Sequence, residues 1–500
     1  MVFVAPKSVP DELRWLADAP DRQMLIDGEL VAARSGKTFD VHDPSTAEVI
    51  AHVPDAGRED VDAAVTAARR AFEGRWSRVL PHERQRLMLR LADLIEERGE
   101  EIAALEALNQ GKLLEVARSV EVEMAADYVR YMAGWATKIE GSVVELSPRM
   151  PEGVNFHAYT RREPAGVVAA IVPWNFPHLM AIWKTAPALA TGCTVVLKPA
   201  EQTPLTALLL GELIAEAGFP DGVFNVVTGF GETAGAALVK HKGVDKITFT
   251  GSTEVGKKIG VEAMKNMTRV SLELGGKSPV LVLDDIDPEF IASGMMMGIF
   301  FNSGQQCVAG SRLYAPAARF DEIVERVAYM ADFLQLGSPF DPDVHLGPLV
   351  SKDQQERVLG YIESGRQEGG EILVGGKAPD SDGYFVEPTV ISRTDHRMKV
   401  VKEEIFGPVL VAMPYQSIDE LVDLANDSEY GLAASVWSQN ISRVHEIVPK
   451  LKAGTVWVNT HGVLDANLPF GGFKQSGVGR EHGRAAIDTY TETKSVCIAY

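Results

Sequence analysis

The chain has 500 residues, of which 46% are hydrophobic and 24% are charged, and its formal net charge is −20 at pH 7. This length is too great for one ordinary hydrophobic core and predicts two or three domains. The composition is typical of a folded chain rather than a disordered one. The acidic balance excludes nucleic acid and anionic membrane surfaces as natural partners, because both would repel the chain.

Cysteine usage and targeting signals indicate the compartment. The chain contains three cysteines: Cys193, Cys307 and Cys497. Three cysteines form no disulfide framework, which is typical of a reducing environment. The N-terminal segment lacks a basic stretch followed by a long apolar one, and the apolar stretches 165–183 and 290–301 are interrupted by prolines or too short to span a bilayer. We therefore expect a cytoplasmic protein that has no membrane partner.

The N-terminal third predicts helices and the remainder predicts parallel sheets. Two early segments are amphipathic, with acidic residues near their starts and glycine near their ends: REDVDAAVTAARRAFEG and PHERQRLMLRLADLIEERGEEIAALEALNQGK. From about residue 165, short apolar runs alternate with helical ones. A second series of this kind begins at 278–285, continues through a helix at 287–301 and reaches GTVWVN at 454–459. This alternation predicts an α/β fold with two parallel sheets covered by helices.

Two segments outside these series alternate like exposed strands, namely residues 141–164 and 489–500. Amphipathic strands of this kind can pair with each other or with another subunit. A simple surface hairpin is an equal alternative. No internal repeat is evident, so we do not expect a repeat architecture.

Two glycine-containing turns follow predicted strands and could lie against phosphate. The first turn, TGFGETAG, contains Gly229 and Gly231 and is one residue longer than the dinucleotide fingerprint, so a purely structural turn is an equal alternative. In the second, ITFTGSTEVG, a strand ends at Gly251 and a helix begins after Ser252, which leaves free N–H groups facing an anion. Two such turns in succession favour a nucleotide-binding site over a purely structural role.

Lys198 and Glu201 lie just past the strand TVVL, at the carboxyl end where open parallel sheets bind ligands. A carboxylate there can accept hydrogen bonds from ribose hydroxyls and would repel a 2′-phosphate, which favours NAD over NADP. An ordinary surface ion pair is the alternative, and for such a lysine and glutamate it is the more frequent one.

Two motifs that suggest other chemistry are incomplete. The GKS of LELGGKSP lacks the glycine that a phosphate loop needs five residues earlier, since Ser271 occupies that position. The segment HEIVP has Pro449 where a zinc-binding helix needs its second histidine. The sequence therefore predicts no metal site.

Cys307 differs from the other cysteines because a polar, glycine-containing turn precedes it, whereas Cys193 lies in an apolar run typical of the core. Glu273 ends an apolar strand, where burial would raise its pKa toward that of a general base. Asn175 lies between two prolines, which restrict the backbone and would hold the side-chain amide in place as a donor to an oxyanion. A capped carboxylate and a turn asparagine are the alternatives for the last two. Spacing alone does not bring the three residues together.

Several blocks of the sequence occur in the order found in one enzyme superfamily. LELGGKSP with Glu273 and FFNSGQQC with Cys307 resemble the two active-site motifs of the NAD(P)-dependent aldehyde dehydrogenases. Further blocks match in the same order: PWNFP, KPAE, FTGSTEVG, EEIFGPV and PFGGFKQSGVGRE. The resemblance runs from about residue 24 to the C-terminus, and its finer motifs are similar to those of the phenylacetaldehyde dehydrogenase branch.

The resemblance implies roles for five residues. Cys307 would attack the aldehyde carbonyl as a thiolate, with the Asn175 amide and the Cys307 backbone N–H holding the oxyanion, and hydride transfer would leave a thioester. Glu273 would then activate water to release the carboxylic acid, which favours hydrolysis over transfer to coenzyme A. Lys184 and Glu481 match the positions that the family uses for proton relay.

The resemblance also implies an NAD site, with NADP as a less favoured cofactor. Lys198 and Glu201 would hold the adenosine ribose, and Ser252 would begin the helix beside the pyrophosphate. Glu404 and Phe406 would flank the nicotinamide ribose. The full set of expected cofactor residues is Ile171, Pro173, Trp174, Lys198, Glu201, Gly231, Phe249, Gly251, Ser252, Leu274, Glu404 and Phe406.

The expected substrate contacts are Phe176, Met180, Trp183, Phe301, Leu464, Asp465 and Phe470. The first three recur at helical spacing and share one face of the helix. Such a stripe is ordinarily core, but in the resembled family the matching helix lines the substrate tunnel. The apolar lining favours an arylacetaldehyde or a similar hydrophobic aldehyde. The carboxylate of Asp465 would instead favour cationic aminoaldehydes or betaine aldehyde.

The resemblance implies an aldehyde dehydrogenase fold of three parts. Residues 1–143 and 164–274 form the predicted NAD-binding domain, 275–476 form the catalytic domain, and 144–163 with 477–500 form an oligomerisation element that gives dimers or tetramers. Two alternatives stay open. A non-catalytic binding protein with the same fold would lack the nucleophile or the base. A cysteine-dependent acyltransferase or thioesterase would not need the cofactor blocks.

Overall fold

The computed structural model describes residues 3–4, 13, 16, 21–147 and 153–500. Two mainly parallel sheets covered by helices make up most of this part of the chain, and a small antiparallel sheet is separate from both. Within the described residues, no helix is both long and apolar enough to cross a membrane. The α/β organisation with two parallel sheets and a further β element is as predicted.

The first sheet has eight strands, of which the five central ones are parallel. In spatial order they are Gly477–Val478, Arg269–Glu273, Lys246–Thr250, Val167–Ile171, Thr194–Lys198, Phe224–Val226, Met24–Ile26 and Glu29–Val31. The strands Val167–Ile171 and Thr194–Lys198 are buried along their whole length. Their continuous apolar runs are typical of parallel strands that carry helices on both faces.

Helices cover the first sheet. They are Arg58–Glu73, Pro81–Glu97, Gly99–Gln110, Met124–Trp135, Pro177–Thr191, Leu205–Glu216, Ala236–Lys240 and Thr253–Met264. Helix Pro177–Thr191 is buried at every position because it packs against both the sheet and the N-terminal helices. It follows shortly after the strand Val167–Ile171, so its N-terminus lies at the carboxyl edge of the sheet, where ligands bind in this architecture.

The second sheet has seven strands, and the edge strand Glu371–Val374 runs antiparallel to the others. In spatial order they are Glu371–Val374, Thr389–Ser392, Val409–Tyr415, Arg312–Pro316, Pro279–Val282, Ala433–Trp437 and Thr455–Val458. Its helices are Pro288–Met295, Phe320–Asp332, Lys352–Gln367, Lys399–Lys402, Ile418–Asn426 and Ile441–Ile447. The helix predicted at 287–301 is shorter than expected, since a π-helical turn, Met296–Phe300, follows Met295.

The small antiparallel sheet joins the two amphipathic segments. Strand Thr491–Ala499 pairs along its whole length with Phe156–Pro164, which also pairs with Val143–Val144. The two segments thus pair with each other within the chain, as the sequence allowed. Val143 and Ile498 are 77% and 47% exposed, so the sheet presents apolar side chains at the surface.

Two short strands pair with residues outside the domain to which the sequence assigned them. Gly477–Val478 pairs with Arg269–Glu273, so residues assigned to the oligomerisation element form an edge of the first sheet. Phe3–Val4, assigned to the first domain, pairs with Leu336–Gly337 beside the second sheet. Both pairings join residues far apart in the sequence, and no local pattern reveals such partners.

Candidate active site

A cavity of about 770 Å³ lies where the carboxyl edge of the first sheet faces the second domain. Cys307, Glu273 and Asn175 all line it. Its volume is in the range of sites that enclose a small molecule or cofactor. The structure therefore brings together the three residues that sequence spacing alone could not.

The turn before Cys307 has an unusual backbone. Asn302, Ser303 and Gly304 have φ angles of 49°, 53° and 73°, in the left-handed region. That region is costly for a residue with a Cβ and must be held by contacts. Asn302 Nδ2 donates to the carbonyl oxygen of Asn175 at 3.0 Å, and Ser303 Oγ donates to a backbone carbonyl at 2.8 Å. These side-chain hydrogen bonds hold the turn and thereby fix the position of Cys307.

The side-chain amide of Asn175 faces the same turn. Its Nδ2 donates to the carbonyl oxygen of Gln305 at 2.9 Å, and the residue is 5% exposed. An amide nitrogen carries two N–H groups, so one is left to donate to an oxygen beside Cys307. Pro173 and Pro177 restrict the backbone on either side. The arrangement suits a fixed oxyanion donor.

Glu273 ends the strand Arg269–Glu273 and is 3% exposed. Neither of its carboxylate oxygens accepts a hydrogen bond of good geometry from the described residues, although the nearby Gly472 N–H acts against the rise of its pKa. Burial, followed by the nearby Glu481 carboxylate, raises the pKa of Glu273 well above its usual value, while Lys184 and Arg480 act in the opposite direction. A carboxyl group with a raised pKa and no fixed partner is suited to general-base catalysis.

The Cys307 thiol is half-buried and forms no disulfide. Loss of solvent contact, followed by the carboxyls of Glu404 and Glu273, raises the pKa of the thiol to about 12. The backbone N–H groups of Cys307 and Val308 act against this rise by hydrogen bonding to the sulfur. The thiol is therefore protonated at neutral pH, and a base must take its proton before it can act as a nucleophile. Glu273 is a neighbouring carboxyl whose raised pKa suits it to that task.

Lys184 and Glu481 form a buried ion pair. Lys184 Nζ donates to Glu481 Oε1, and the two side chains are 0% and 6% exposed. The second oxygen, Glu481 Oε2, has no hydrogen-bond partner among the described residues. Glu481 lines the cavity and raises the pKa of Glu273. Glu481 therefore joins Lys184 to the cavity wall that contains Glu273, and the relay role of the pair stays a prediction.

Lys198 and Glu201 form the ion pair that was the alternative interpretation, with Lys198 Nζ 3.0 Å from Glu201 Oε2. The lysine side chain is 3% exposed and that of Glu201 is 31% exposed. Burial lowers the pKa of Lys198, and Glu201 opposes the shift. The pair lies outside the cavity, but the exposed part of the Glu201 carboxylate is free to accept hydrogen bonds from a hydroxyl.

The N-terminus of helix Thr253–Met264 faces the cavity. Ser252 caps the helix, since its Oγ accepts a hydrogen bond from the Val255 N–H at 3.3 Å. Thr250 and Gly251 line the cavity together with Ser252. Free N–H groups and the helix dipole at this point favour an anion such as pyrophosphate.

Glu404 and Phe406 lie in another part of the cavity wall. Glu404 Oε1 accepts a hydrogen bond from the Gly276 N–H at 2.9 Å, and loss of solvation raises the pKa of Glu404 to about 7. Phe406 has a φ of 63°, and its ring meets that of Trp174 edge-on with centroids 5.2 Å apart. This backbone strain and aromatic contact are typical of a binding site rather than of a simple loop.

The cavity contains most, but not all, of the expected cofactor residues. Those in its wall are Pro173, Trp174, Gly251, Ser252, Leu274, Glu404 and Phe406. Ile171 and Phe249 are buried strand residues outside it, and Gly231 lies on an exposed turn. At Gly229, where φ is 116°, a Cβ would lie 3.1 Å from the backbone nitrogen of Ala56. Packing therefore accounts for this glycine without a nucleotide.

The substrate end of the cavity is apolar. The rings of Phe176 and Phe301 stack with centroids 6.3 Å apart, and further expected residues also line the wall: Met180, Trp183, Leu464 and Phe470. The helical stripe thus faces the cavity. The wall also contains apolar residues that the sequence did not predict: Leu179 from the same helix, and Val120, Met124 and Met297 from other helical segments. No motif marks them, because helix packing alone places them there.

Asp465 does not line this cavity. Its side chain is exposed, and its Oδ1 accepts hydrogen bonds from the backbone N–H and the Nδ2 of Asn467 at 2.8 and 2.9 Å. The substrate contact expected of Asp465 is therefore not observed. The physical reason is local, since an aspartate in a turn readily binds the backbone two residues further on.

Comparison with known proteins places this site in a family. The model of the aldehyde dehydrogenase family matches residues 30–496. The chain is 53% identical over 481 residues to the phenylacetaldehyde dehydrogenase of Pseudomonas fluorescens, which covers 96% of each chain. The NAD+ complex of an aldehyde dehydrogenase from Bacillus cereus has a TM-score of 0.95 at 48% identity and covers 99% of each chain. A betaine aldehyde dehydrogenase from Staphylococcus aureus in complex with NAD+ has a TM-score of 0.93 at 40% identity and covers 97% of this chain and 96% of that one.

The chain therefore belongs to the aldehyde dehydrogenase family. The family model spans nearly all of the sequence, and the similarity to solved family members covers both parallel sheets and the small antiparallel one. The predicted family, fold class and enzyme class are confirmed.

Proposed function

We propose that this enzyme oxidises a hydrophobic aldehyde to its carboxylic acid, with NAD as the hydride acceptor and Cys307 as the nucleophile. The observation that carries the proposal is that Cys307, Asn175 and Glu273 line one cavity with a capped helix N-terminus. A non-catalytic binding protein would not need a free thiol beside an amide donor and an unpartnered buried carboxyl. An acyltransferase or thioesterase would not need the cofactor wall.

The residues of the cavity fit NAD. The helix that begins after Ser252 would face the pyrophosphate, and the Glu404 carboxylate would accept from the nicotinamide ribose. Outside the cavity wall, the partly exposed carboxylate of Glu201 would accept from the adenosine ribose and repel a 2′-phosphate, so NAD is preferred to NADP. The NAD+ complexes of the Bacillus cereus and Staphylococcus aureus relatives support this choice. When bound, NAD accepts the hydride that leaves the former aldehyde carbon.

In the first half of the reaction, the Cys307 sulfur adds to the aldehyde carbon. The thiol proton passes to Glu273, a C–S bond forms, and the electron pair of the carbonyl π bond moves to oxygen. The Asn175 amide and the Cys307 backbone N–H donate to this oxyanion, and the loss of one such donor typically lowers the rate roughly 100- to 1,000-fold. Departure of the hydride then leaves a thioester on Cys307.

In the second half, Glu273 acts as the base for hydrolysis. It first passes its proton toward the Glu481 carboxylate, which Lys184 holds nearby. It then takes a proton from water as the water oxygen adds to the thioester carbon. The C–S bond breaks, the Cys307 sulfur recovers a proton, and the carboxylic acid leaves. A base in this position favours water over coenzyme A as the acyl acceptor.

We propose an arylacetaldehyde as the substrate class. The stacked rings of Phe176 and Phe301 would contact an aromatic substrate directly, and Met180, Trp183, Leu464 and Phe470 add further apolar surface to the wall. The 53% identity to a phenylacetaldehyde dehydrogenase supports this class. Betaine aldehyde is the second candidate, because a betaine aldehyde dehydrogenase shares the fold at 40% identity. The engaged carboxylate of Asp465 makes a cationic substrate less favoured.

We further propose that the small antiparallel sheet joins subunits into dimers or tetramers in the cytoplasm. Val143, Ile498 and Tyr500 are exposed on or beside this sheet, and apolar side chains on an unpaired face favour association. The three cysteines are free, which suits a reducing compartment. Light scattering on the purified protein measures the subunit count directly, and a monomeric mass would contradict the first part.

The test of the proposed function is cofactor reduction by the purified enzyme with phenylacetaldehyde, a straight-chain aldehyde and an aminoaldehyde. Each aldehyde is assayed with NAD and with NADP. Cys307→Ser should abolish activity, whereas the matched variant Cys193→Ser changes a buried core cysteine and should retain it.

The outcomes separate the parts of the proposal. Fast NADH formation with phenylacetaldehyde supports the whole assignment. Activity with the aminoaldehyde alone would keep the mechanism and overturn the substrate class. Activity that requires coenzyme A would contradict the hydrolytic role of Glu273, and activity retained by Cys307→Ser would overturn the mechanism.

A further inference from the structure

A fully buried group of three charged side chains lies beneath the start of helix Pro177–Thr191. Lys112 Nζ donates to Glu106 Oε2 at 3.2 Å and to Glu121 Oε1, and the three side chains are at most 1% exposed. Glu106 lies in a helix, Lys112 in the turn after it, and Glu121 in the π-helical turn Ala117–Glu123. Burial, followed by the Glu106 carboxyl, raises the pKa of Glu121 to about 8, while Lys112 opposes the rise. The group is therefore costly to bury, and further hydrogen-bond donors must satisfy its oxygens.

Those donors belong to the first turn of the helix. The His178 N–H donates to Glu106 Oε1 at 3.1 Å, and the Leu179 N–H donates to Glu121 Oε2 at 2.7 Å. Thr206 Oγ1 also donates to Glu106 Oε1, at 2.6 Å. The first N–H groups of a helix have no partners within it, so the two carboxylates satisfy them and anchor the helix N-terminus.

The anchored turn is continuous with residues of the proposed mechanism. Asn175 and Phe176 directly precede Pro177, the first residue of the helix. Lys112 Nζ lies 4.8 Å from the centroid of the Phe176 ring, which also stacks on the ring of Phe301. One ammonium group therefore holds the helix start through two carboxylates and contacts a ring of the substrate wall.

We propose that Lys112, acting through Glu106 and Glu121, is a positioning residue that holds the Asn175 amide where it donates to the oxyanion. Lys112 does not line the cavity, so it acts on the reaction only through Asn175 and its neighbours. The inference rests on the proposed oxyanion role of Asn175. A displacement of the order of 1 Å in a positioned group can lower a rate roughly 100-fold. Loss of the Lys112 anchor could therefore lower the rate by displacing the Asn175 amide.

The experiment is a double-variant cycle on kcat with Lys112→Met, Asn175→Ala and the combination of both. Rates are expressed per NAD-binding site, counted by titration with NAD, because misfolded protein does not bind the cofactor and so does not enter the comparison. We expect Lys112→Met alone to lower kcat roughly 10-fold, and Asn175→Ala alone to lower it roughly 100- to 1,000-fold. In the Asn175→Ala background, Lys112→Met should change kcat by less than about twofold, since the group that it positions is gone. The dissociation constant for NAD should be the same in all four proteins.

Lys246→Met is the matched control. Lys246 is 1% exposed, donates to Ser271 Oγ at 2.6 Å, and lies 4.9 Å from the centroid of the Tyr490 ring. It is therefore a buried lysine beside a ring, like Lys112, but it has no contact with the helix start. Any effect of Lys246→Met on kcat should be the same with and without Asn175→Ala.

Lys112→Met leaves two buried carboxylates without a cation and could prevent folding. The pair Lys112→Met with Glu121→Gln removes the cation together with one of its two carboxyl partners and keeps an oxygen for the Leu179 N–H. The cycle is then repeated with this pair in place of Lys112→Met. If Lys112→Met lowers kcat by the same factor in the unsubstituted enzyme and in Asn175→Ala, the inference is overturned. The proposed function would then remain intact. An unchanged kcat in Asn175→Ala would overturn the oxyanion role itself, and the inference with it.

Discussion

The Asn175 amide donates to the carbonyl oxygen of Gln305 at 2.9 Å, two residues before Cys307 in the chain. A second hydrogen bond returns from Asn302 Nδ2 to the Asn175 carbonyl at 3.0 Å. The amide donor and the turn that carries the nucleophile are thus joined in both directions, across more than a hundred residues of sequence. The distance between the oxyanion donor and the sulfur is set by these bonds rather than by either loop alone.

We predict that Asn175→Ala lowers kcat roughly 100- to 1,000-fold, because the variant loses one donor to the oxyanion. Affinity for NAD should be unchanged. Asn467→Ala provides the control, since this exposed asparagine bonds only within its own turn, and its kcat should equal that of the unsubstituted enzyme. Steady-state kinetics with a saturating aldehyde measures both, and a loss below threefold in Asn175→Ala would rule out the oxyanion role.

Alkylation of Cys307 should accelerate with pH throughout the range in which the enzyme stays folded. The thiolate is the reactive form, and with a thiol pKa of about 12 the thiolate fraction rises about tenfold per pH unit below that value. The rate of labelling by iodoacetamide in the absence of NAD measures this fraction, with Cys307→Ser as the background. A plateau of the rate between pH 7 and 8 would show that the thiol is ionised in the free enzyme, contrary to this expectation.

Substitution of Glu201 should change cofactor choice. Glu201→Gln removes the charge that would repel a 2′-phosphate and keeps an oxygen for ribose hydroxyls and for Lys198. We expect the ratio of kcat/KM for NAD over NADP to fall roughly tenfold, which corresponds to about 1.4 kcal/mol. Glu216→Gln, on the exposed end of the helix Leu205–Glu216, serves as the comparison and should leave the ratio unaltered. An unaltered ratio in Glu201→Gln would mean that its carboxylate does not face the ribose.

The buried ion pair of Lys184 and Glu481 should raise the free energy of unfolding, in addition to its proposed role in proton transfer. Lys184→Met leaves a buried carboxylate without its cation, which typically costs about 3–5 kcal/mol of unfolding free energy. Urea unfolding monitored by tryptophan fluorescence measures the change. Lys258→Met removes the exposed partner of Glu254 and should shift the unfolding midpoint little, because exposed pairs contribute little. Equal midpoints for the two variants would contradict the structural role of the buried pair.

The sequence predicts the fold and the reacting residues well because they depend on contiguous blocks. The strand and helix runs after residue 165 specify parallel sheets, and the motifs around Glu273 and Cys307 identify the family, as the comparisons confirm. What the motifs cannot show is the partner of each group across the chain. The bond from Asn302 to Asn175 and the strand Gly477–Val478 both depend on such distant partners.

The substrate end was the least predictable part of the site. Asp465 is close in sequence to the wall residue Leu464, yet its carboxylate turns to Asn467 and stays exposed. Met124 and Met297 line the cavity although no motif includes them, because the packing of separate helices brings them there. Side-chain direction at a loop tip is decided by local hydrogen bonds, which composition and spacing do not encode.

The central claim is that the aldehyde becomes a thioester on Cys307 and that Glu273 releases it. The most direct measurement is the intact mass of the enzyme, quenched with acid during turnover of phenylacetaldehyde and NAD, for the unsubstituted enzyme, Glu273→Gln and Cys307→Ser. We predict that Glu273→Gln forms NADH slowly, because it also lacks the base that takes the thiol proton. The reaction should stop after about one NADH per active site and leave one added phenylacetyl group, which peptide mapping locates at Cys307. Steady NADH production by Glu273→Gln with no acyl group on Cys307 would contradict the claim.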